Sequence, residues 1–257
     1  MTSFNKINCE LQRNGQVLWL TLNAPKGNVL DKEMMTELTH AIQQTGSQAS
    51  VKALVFEGAG KHFSFGASVP EHQKAHVADM LKTFHQLMKA LVACRRPSLA
   101  LVRGQCLGGG LELAAFCNWI FASEDAMFGQ PEIKLAVFPP VASLILPHRI
   151  GQSAADNLIL SGRSITAAEA KQLGLVHSVS GDPAQEVETL LAEHILPKSS
   201  QALQFAVQSA RFEMHEAFLK NIDRVEKMYV EELMATADAN EGIQAFMEKR
   251  PPAWENG

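Results

Sequence analysis

The sequence predicts an α/β fold from three observations: short apolar runs suited to buried strands, stretches of helical spacing between them, and a composition that supports a large core. The 257-residue, 28.1 kDa chain is 46% hydrophobic and 19% charged, which one domain, or one domain with a small appendage, can fill. A mean hydropathy of -0.04 places it among globular chains and excludes general disorder or a fibrous repeat.

The elements follow in order. Val17 to Leu22 alternates with period two, and Asn14-Gly15 before it is a turn signal, so Ile7–Arg13 and Gln16–Leu22 read as a hairpin. Asp31 to Thr45 carries Met34, Met35, Leu38, Ala41 and Ile42 at helical spacing, with Asp31 as its cap. Ala53 to Phe56 is a buried strand ending at Gly58-Ala59-Gly60. Ala75–Ala93 is a helix, Ser98–Val102 a buried strand, Leu111–Cys117 an apolar helix behind three glycines, Trp119–Ala122 a strand and Ala154–Ser161 a helix. The recurring strand–strand–helix unit is too irregular for a solenoid. Such cores bind ligands near strand ends and helix N-termini.

From about Pro197 the strand-like runs vanish, and Ser200–Ala237 reads as charged helix. This divides the chain into a core, 1–196, and a helical tail, 197–257. Phe205, Phe212, Phe218 and Met228 of the tail must pack on the parent domain or across a subunit interface.

Charge narrows the partners. With 23 basic against 27 acidic residues the net charge is -4, so no nucleic-acid footprint is present, although local basic residues could hold a phosphate-bearing small ligand. Cys9, Cys94, Cys106 and Cys117 form no CxxC and read as reduced, mostly buried thiols of a cytoplasmic protein. The polar N-terminus lacks a signal-peptide core, and no apolar run approaches the roughly 20 residues of a membrane span. His72 and His76, at i and i+4, lack a third ligand and read as a solvated helix end, so no metal site is expected. His148 reads as a histidine packed at a helix start, and Arg95-Arg96 as the solvated end of a helix. Cys106 and Cys117 have no adjacent activating histidine and read as packing.

Chemistry concentrates in Gly104-Gln105-Cys106-Leu107-Gly108-Gly109-Gly110-Leu111-Glu112. Three glycines opening a helix offer unpaired N–H groups to an anion or oxyanion; a tight strand-to-helix turn explains them equally. Glu112 directly follows them in an apolar helix, and Glu132 lies in Phe128-Gly129-Gln130-Pro131-Glu132-Ile133. In one pocket, repulsion and desolvation would leave one ionised and one protonated, suited to water activation plus proton delivery. The loop Lys61 to Ser68 could bring a second N–H at Gly66-Ala67 to the same oxygen.

Gly66-Ala67, Leu-Gly-Gly-Gly-x-Glu-Leu-Ala at 107–114 and Phe-Gly-Gln-Pro-Glu-Ile at 128–133 together resemble the crotonase (enoyl-CoA hydratase/isomerase) superfamily. The likeness extends from Pro25-Lys26-x-Asn28-x-Leu30, through Leu160-Ser161-Gly162-Arg163 and Ala167-x-x-Ala170-x-x-Leu173-Gly174-Leu175-Val176, to Asn240-Glu241-Gly242-x-x-Ala245-Phe246-x-Glu248-Lys249-Arg250. The resemblance implies a spiral of ββα units, a helical C-terminal trimerisation region that often pairs trimers, and an acyl-CoA substrate, with coenzyme A as part of that substrate and no separate cofactor. It implies the Ala67 and Gly109 N–H groups as the oxyanion hole and Glu112 and Glu132 as the catalytic pair. Lys26, Phe65, Gly66, Ser68, Gly110 and Pro140 would line the substrate site, and Phe246 and Lys249 would cover coenzyme A from a neighbouring subunit.

Two departures stand out. Ordinary hydratases of this family follow the second glutamate with a glycine-rich stretch, whereas here Pro140 stands where a glycine N–H would help hold the water. The Gly-Ala step is followed by Ser68 instead of aspartate. The stretches Phe63–Val69 and Phe138–Ser143 resemble the cyclohexa-1,5-diene-1-carbonyl-CoA hydratases, which implies hydration of a conjugated ring thioester to a 6-hydroxycyclohex-1-ene-1-carbonyl thioester. A short-chain enoyl-CoA hydratase, an enoyl-CoA isomerase and a non-catalytic acyl-CoA-binding protein are the alternatives.

Overall fold

The structure, a computed structural model, describes residues 4–24 and 26–256; Pro25 of the Pro-Lys motif lies outside them. Strands β1 (Ile7–Gln12) and β2 (Val17–Leu22) form the expected hairpin, Ile7 opposite Leu22 and Gln12 opposite Val17. Its turn has Arg13, Asn14 and Gly15 all at positive φ, the conformation that Asn-Gly accommodates at least cost. Strands β3 (Ala53–Gly58) and β4 (Ser98–Val102) continue the sheet in parallel. With β6 (Trp119–Ser123) and β9 (Ser178–Ser180) they give the order β1-β2-β3-β4-β6-β9. A second sheet has the order β5-β7-β8, from Gln105–Leu107, Met127–Gly129 and Ser164–Thr166.

The ββα unit explains this two-sheet arrangement. It recurs as β1-β2-α1 (helix Lys32–Ala41), β4-β5-α3 (helix Gly109–Phe116) and β6-β7-α4 (helix Pro140–Ile150). In the latter two units the second strand peels away into the small sheet. The unit of β3 and α2 (Val77–Cys94) has only a bridge there, Ser64 to Cys106. Alternation along β2 buries both faces: Leu18, Leu20 and Leu22 join the main core, while Val17 and Trp19 join a second cluster. That cluster is closed by Val187 of α7 (Pro183–Leu190) and by Leu191 and Ile195 beyond it. Both faces being apolar is what a parallel sheet covered on each side requires.

Helices α5 (Gln152–Ser161) and α6 (Ala167–Gln172) complete the core region; α8 (Ser200–Ala210), α9 (Phe212–Lys227) and α10 (Ala237–Glu248) form the tail. Met214, Phe218 and Ile222 of α9, Tyr229 and Met234 beyond it, and Ala239 and Ile243 of α10 belong to the main core. Phe218 meets Phe116 edge-on at 5.2 Å. By contrast α8 buries no residue, and Phe205 is 71% exposed. Phe212 and Met228 are exposed too. The long helix expected over 200–237 is interrupted at Arg211 and ends in a wide turn at Met228–Glu232.

Three local expectations are corrected. Arg96 is not solvated: it is 6% exposed and donates to the Gly46 and Gln48 carbonyls and to Ser200 Oγ, fastening the start of α8 to the end of the α1 region. Arg95 beside it is exposed, in the left-handed conformation that ends α2. His148 lies in the last turn of α4, exposed, and not at a helix start. His72 and His76 do not share a helix: His72 closes a 3-10 turn with Nδ1 on the Ser68 carbonyl, and His76 precedes α2. Among the described residues no three His, Cys, Asp or Glu side chains could hold a metal, and no helix is long and apolar enough to cross a membrane.

Arg96→Met keeps most of the aliphatic stem but strands three acceptors. Urea unfolding should show a loss of about 1–3 kcal/mol; a change within about 0.5 kcal/mol would contradict the tether.

Candidate active site

The three glycines each answer a separate contact. Gly108 ends β5 at φ 51, and a Cβ there would lie 2.7 Å from Glu132 Oε1. A Cβ on Gly109 would lie 3.3 Å from the Ala67 nitrogen, and one on Gly110 would lie 2.7 Å from Ser64 Cβ. The turn therefore brings the second glutamate, the Gly66-Ala67 loop and the head of α3 together.

Ser64 shapes that loop from inside: its buried hydroxyl donates to the Asn28 carbonyl and accepts from the Gly66 N–H. Gly66, at φ 102, places the Leu107 carbonyl where a side chain would stand, 2.9 Å from a Cβ. Residue 67 forms a parallel bridge with Leu30, through Leu30 N–H to the Gly66 carbonyl and Ser68 N–H to the Leu30 carbonyl. In such a bridge the residue between faces its own N–H the other way. The Ala67 N–H thus turns toward the Gly109 side, and among the described residues neither it nor the Gly109 N–H has a protein acceptor.

Glu112 is 3% exposed and its Oε1 accepts the Ala142 N–H at 2.7 Å. Burial pushes its carboxyl up to about 7, against the Ala142 and Val141 N–H groups, which favour the anion. Those donors belong to the first turn of α4, where backbone dipoles favour negative charge. Pro140 precedes them as the first residue of that helix, buried; the position tolerates a missing N–H but offers no donor.

Glu132 sits in a 3-10 turn, Pro131–Leu135. Although residue 132 as a whole keeps some solvent contact, its carboxyl is enclosed. Burial first, then the Glu112 charge, drives it well above the carboxylate range. Sequence reasoning quoted Gln130 only within a motif. Fully buried, Gln130 sets its amide against that carboxyl, with nitrogen-to-oxygen distances of 3.0 and 3.1 Å when turned to donate. An amide can donate to the anion or accept from the acid, so it suits both protonation states.

Phe65 lies on Gly27, whose φ of 128 and missing side chain admit the ring. It borders a cleft of about 490 Å³ lined also by Lys26, Asn28, Lys61 and His62. Asn28 frames the cleft by accepting the Ala24 N–H and donating to the Ala59 and His62 carbonyls. Ser68 is half-buried beside Ala67. Phe246 and Lys249 are exposed, at the end of α10. Cys106 and Cys117 are fully buried with thiols pushed up by burial, Cys117 to about 12, so they are packing groups.

Comparison with known proteins agrees with this geometry. A family model for enoyl-CoA hydratase/isomerase matches residues 12–257. The cyclohexa-1,5-dienecarbonyl-CoA hydratase of Thauera aromatica is 45% identical over 96% of this chain and 95% of its own. The 2,3-dehydroadipyl-CoA hydratase of Escherichia coli (strain K12) is 35% identical over 94% and 96%. A crystal structure of an enoyl-CoA hydratase/isomerase from Xanthobacter autotrophicus Py2 superposes with a TM-score of 0.85 at 27% identity, covering 96% of this chain and 94% of that one. The chain belongs to the enoyl-CoA hydratase/isomerase family. Its activity is that of a hydro-lyase acting on an acyl-CoA thioester.

A folded-state carboxyl raised to about 7 contributes stability below its unfolded value near 4.3, and that contribution is lost as pH rises through 7. Glu112→Gln abolishes the titration, so its thermal midpoint should pull ahead of wild type between pH 5 and 8, by roughly 2–4 °C per kcal/mol. A gap constant across that range would contradict the raised value.

Proposed function

We propose that the protein hydrates cyclohexa-1,5-diene-1-carbonyl-CoA to 6-hydroxycyclohex-1-ene-1-carbonyl-CoA, in the cytoplasm. The Ala67 and Gly109 N–H groups hold the thioester oxygen. Glu112, the carboxylate favoured by two N–H donors, takes a proton from water as the water oxygen bonds to the ring β carbon. The displaced π electrons pass toward the thioester oxygen, where the paired dipoles stabilise them. They then return through the second double bond to the far ring carbon, which takes a proton from Glu132. One double bond remains, now on the other side of the thioester-bearing carbon, and proton transfer from Glu112 back to Glu132 resets the site. Acid/base chemistry of this kind calls on no cofactor beyond the coenzyme A of the substrate.

The observation that carries this reading is two coupled carboxyls, Glu112 and Glu132, both raised by burial and Glu132 the more so, near the turn that brings the Ala67 and Gly109 N–H groups together. The ring substrate is supported by Pro140, which removes a donor at the ordinary water position, and by the relative from Thauera aromatica. Lys26 and Lys61 at the cleft suit the phosphates of coenzyme A. Phe205, Phe212, Leu219 and Met228, exposed on the tail, suit a homotrimer or a dimer of trimers, with Phe246 and Lys249 reaching a neighbour's coenzyme A.

Linear enoyl and cyclic dienoyl CoA esters, assayed with wild type, Glu112→Gln and Glu132→Gln, test the proposal. Each substitution should lower turnover of the cyclic diene by about a hundredfold or more, with thioester affinity little changed. Efficient hydration of crotonyl-CoA with the cyclic diene untouched would refute the ring substrate; near-normal turnover in either variant would remove that residue from the mechanism. Wild-type kcat should follow a bell in pH, rising as Glu112 ionises near 7 and falling where the pair loses its second proton. Lys61→Ala should raise KM several-fold with kcat nearly unchanged, an effect that salt weakens.

A further inference from the structure

Tyr229 is the one tyrosine of the chain and stands outside every motif considered so far. It lies just past α9, in the wide turn Met228–Glu232, and is 1% exposed. Its ring packs against Phe138 at 5.2 Å, on the segment that leads into Pro139, Pro140 and α4. Among the described residues its buried hydroxyl has no hydrogen-bond partner, although leaving such a group unpaired normally costs about 1–3 kcal/mol. Phe138 joins the turn that carries Glu132 to the first turn of α4, which holds Glu112, so the packed ring sits against the segment linking the two acids; after burial, their charges are what most oppose ionisation of the hydroxyl. A buried phenol left unpartnered against the segment that links two acids calls for an explanation, and a ligand that enters the site supplies one.

Resting on the hydratase reading above, we propose that Tyr229 holds the attacking water, its hydroxyl donating to one lone pair of the water oxygen while the other attacks the ring and Glu112 takes the proton. Pro140 has removed the backbone donor that would otherwise help at this place, and the phenol supplies a side-chain group in its stead. Tyr229 stays protonated throughout: the proton lost by water goes to Glu112, and the one gained by the ring comes from Glu132. Fixing the water by a third group leaves Glu132 free to serve the far corner of the ring.

Tyr229→Phe keeps the ring on Phe138 and deletes only the hydroxyl. Its kcat for hydration should fall roughly 10–100-fold with KM for the CoA ester within about twofold, and its thermal midpoint should be equal to or above that of wild type, because an unpaired buried group is gone. Incorporated 3-fluorotyrosine gives a single ¹⁹F resonance, which should shift with Glu112→Gln and on saturation with a non-reacting saturated cyclohexanecarbonyl thioester. Wild-type turnover with an unchanged kcat in Tyr229→Phe would overturn the assignment, as would a resonance that neither change moves. A wild-type protein that hydrates no CoA ester would instead overturn the hydratase reading, and this inference with it.

Discussion

Two buried carboxyl groups that feel each other's charge cannot both ionise cheaply, and much of the molecule is arranged around that constraint. Removing a carboxylate from water costs several kcal/mol unless fixed donors replace the solvent. Glu112 receives such donors from the first turn of α4, through Ala142 and Val141. Among the described residues Glu132 has its own N–H and, when turned to donate, the Gln130 amide, but no helix N-terminus, and the neighbouring anion presses it further toward its acid form. In the proposed reaction, the division of labour between base and acid follows from which glutamate faces a helix N-terminus. Gly108 is the steric counterpart: any side chain there would push the Glu132 carboxyl out of place.

Keeping this pair in position takes elements far apart in sequence. Helix α3, which carries Glu112, has only eight residues, too few to be stable alone. Its C-terminal carbonyl at Cys117 accepts from Arg149 of α4 and from Arg211 at the head of α9, cations placed where the helix dipole favours them. Gly242 of α10 lies against the Leu135 carbonyl, so closely that a Cβ would come within 2.3 Å, and so backs the turn that presents Glu132. The C-terminal helices therefore build the wall of the site, in addition to carrying the apolar residues suited to assembly.

Much of this was legible in the residues. The alternation of β2 with Asn14-Gly15 located the hairpin, Asp31 capped its helix by accepting the Met34 N–H, and the glycine run pointed to the meeting place of the loop and the two glutamates. What was missed has physical causes. Strands β5, β7, β8 and β9 have three residues each, too short for periodicity to register. Helix α4 holds two prolines, at positions 140 and 147, which break the pattern by which its span could be recognised. Arg96 looked like a surface residue because burial of a guanidinium depends on carbonyls supplied from residues 46 and 48, which no local pattern announces.

Tyr229 was hidden differently. Met214, Phe218, Ile222 and Tyr229 fall on one helical stripe, and all are buried, so spacing alone assigns the tyrosine to the core. The signal lay in its chemistry: on a stripe otherwise made of aliphatic and phenyl groups, a phenol adds one hydroxyl whose burial must be offset by a partner. Among the described residues none bonds to it, while its ring packs on Phe138, between the Glu132 turn and the head of α4. Phenylalanine would fill the same space without the cost, so the oxygen points to a group that enters from outside the fold and bonds to it. In the proposed mechanism that visitor is the water the reaction consumes, met by a phenol donor where Pro140 offers none.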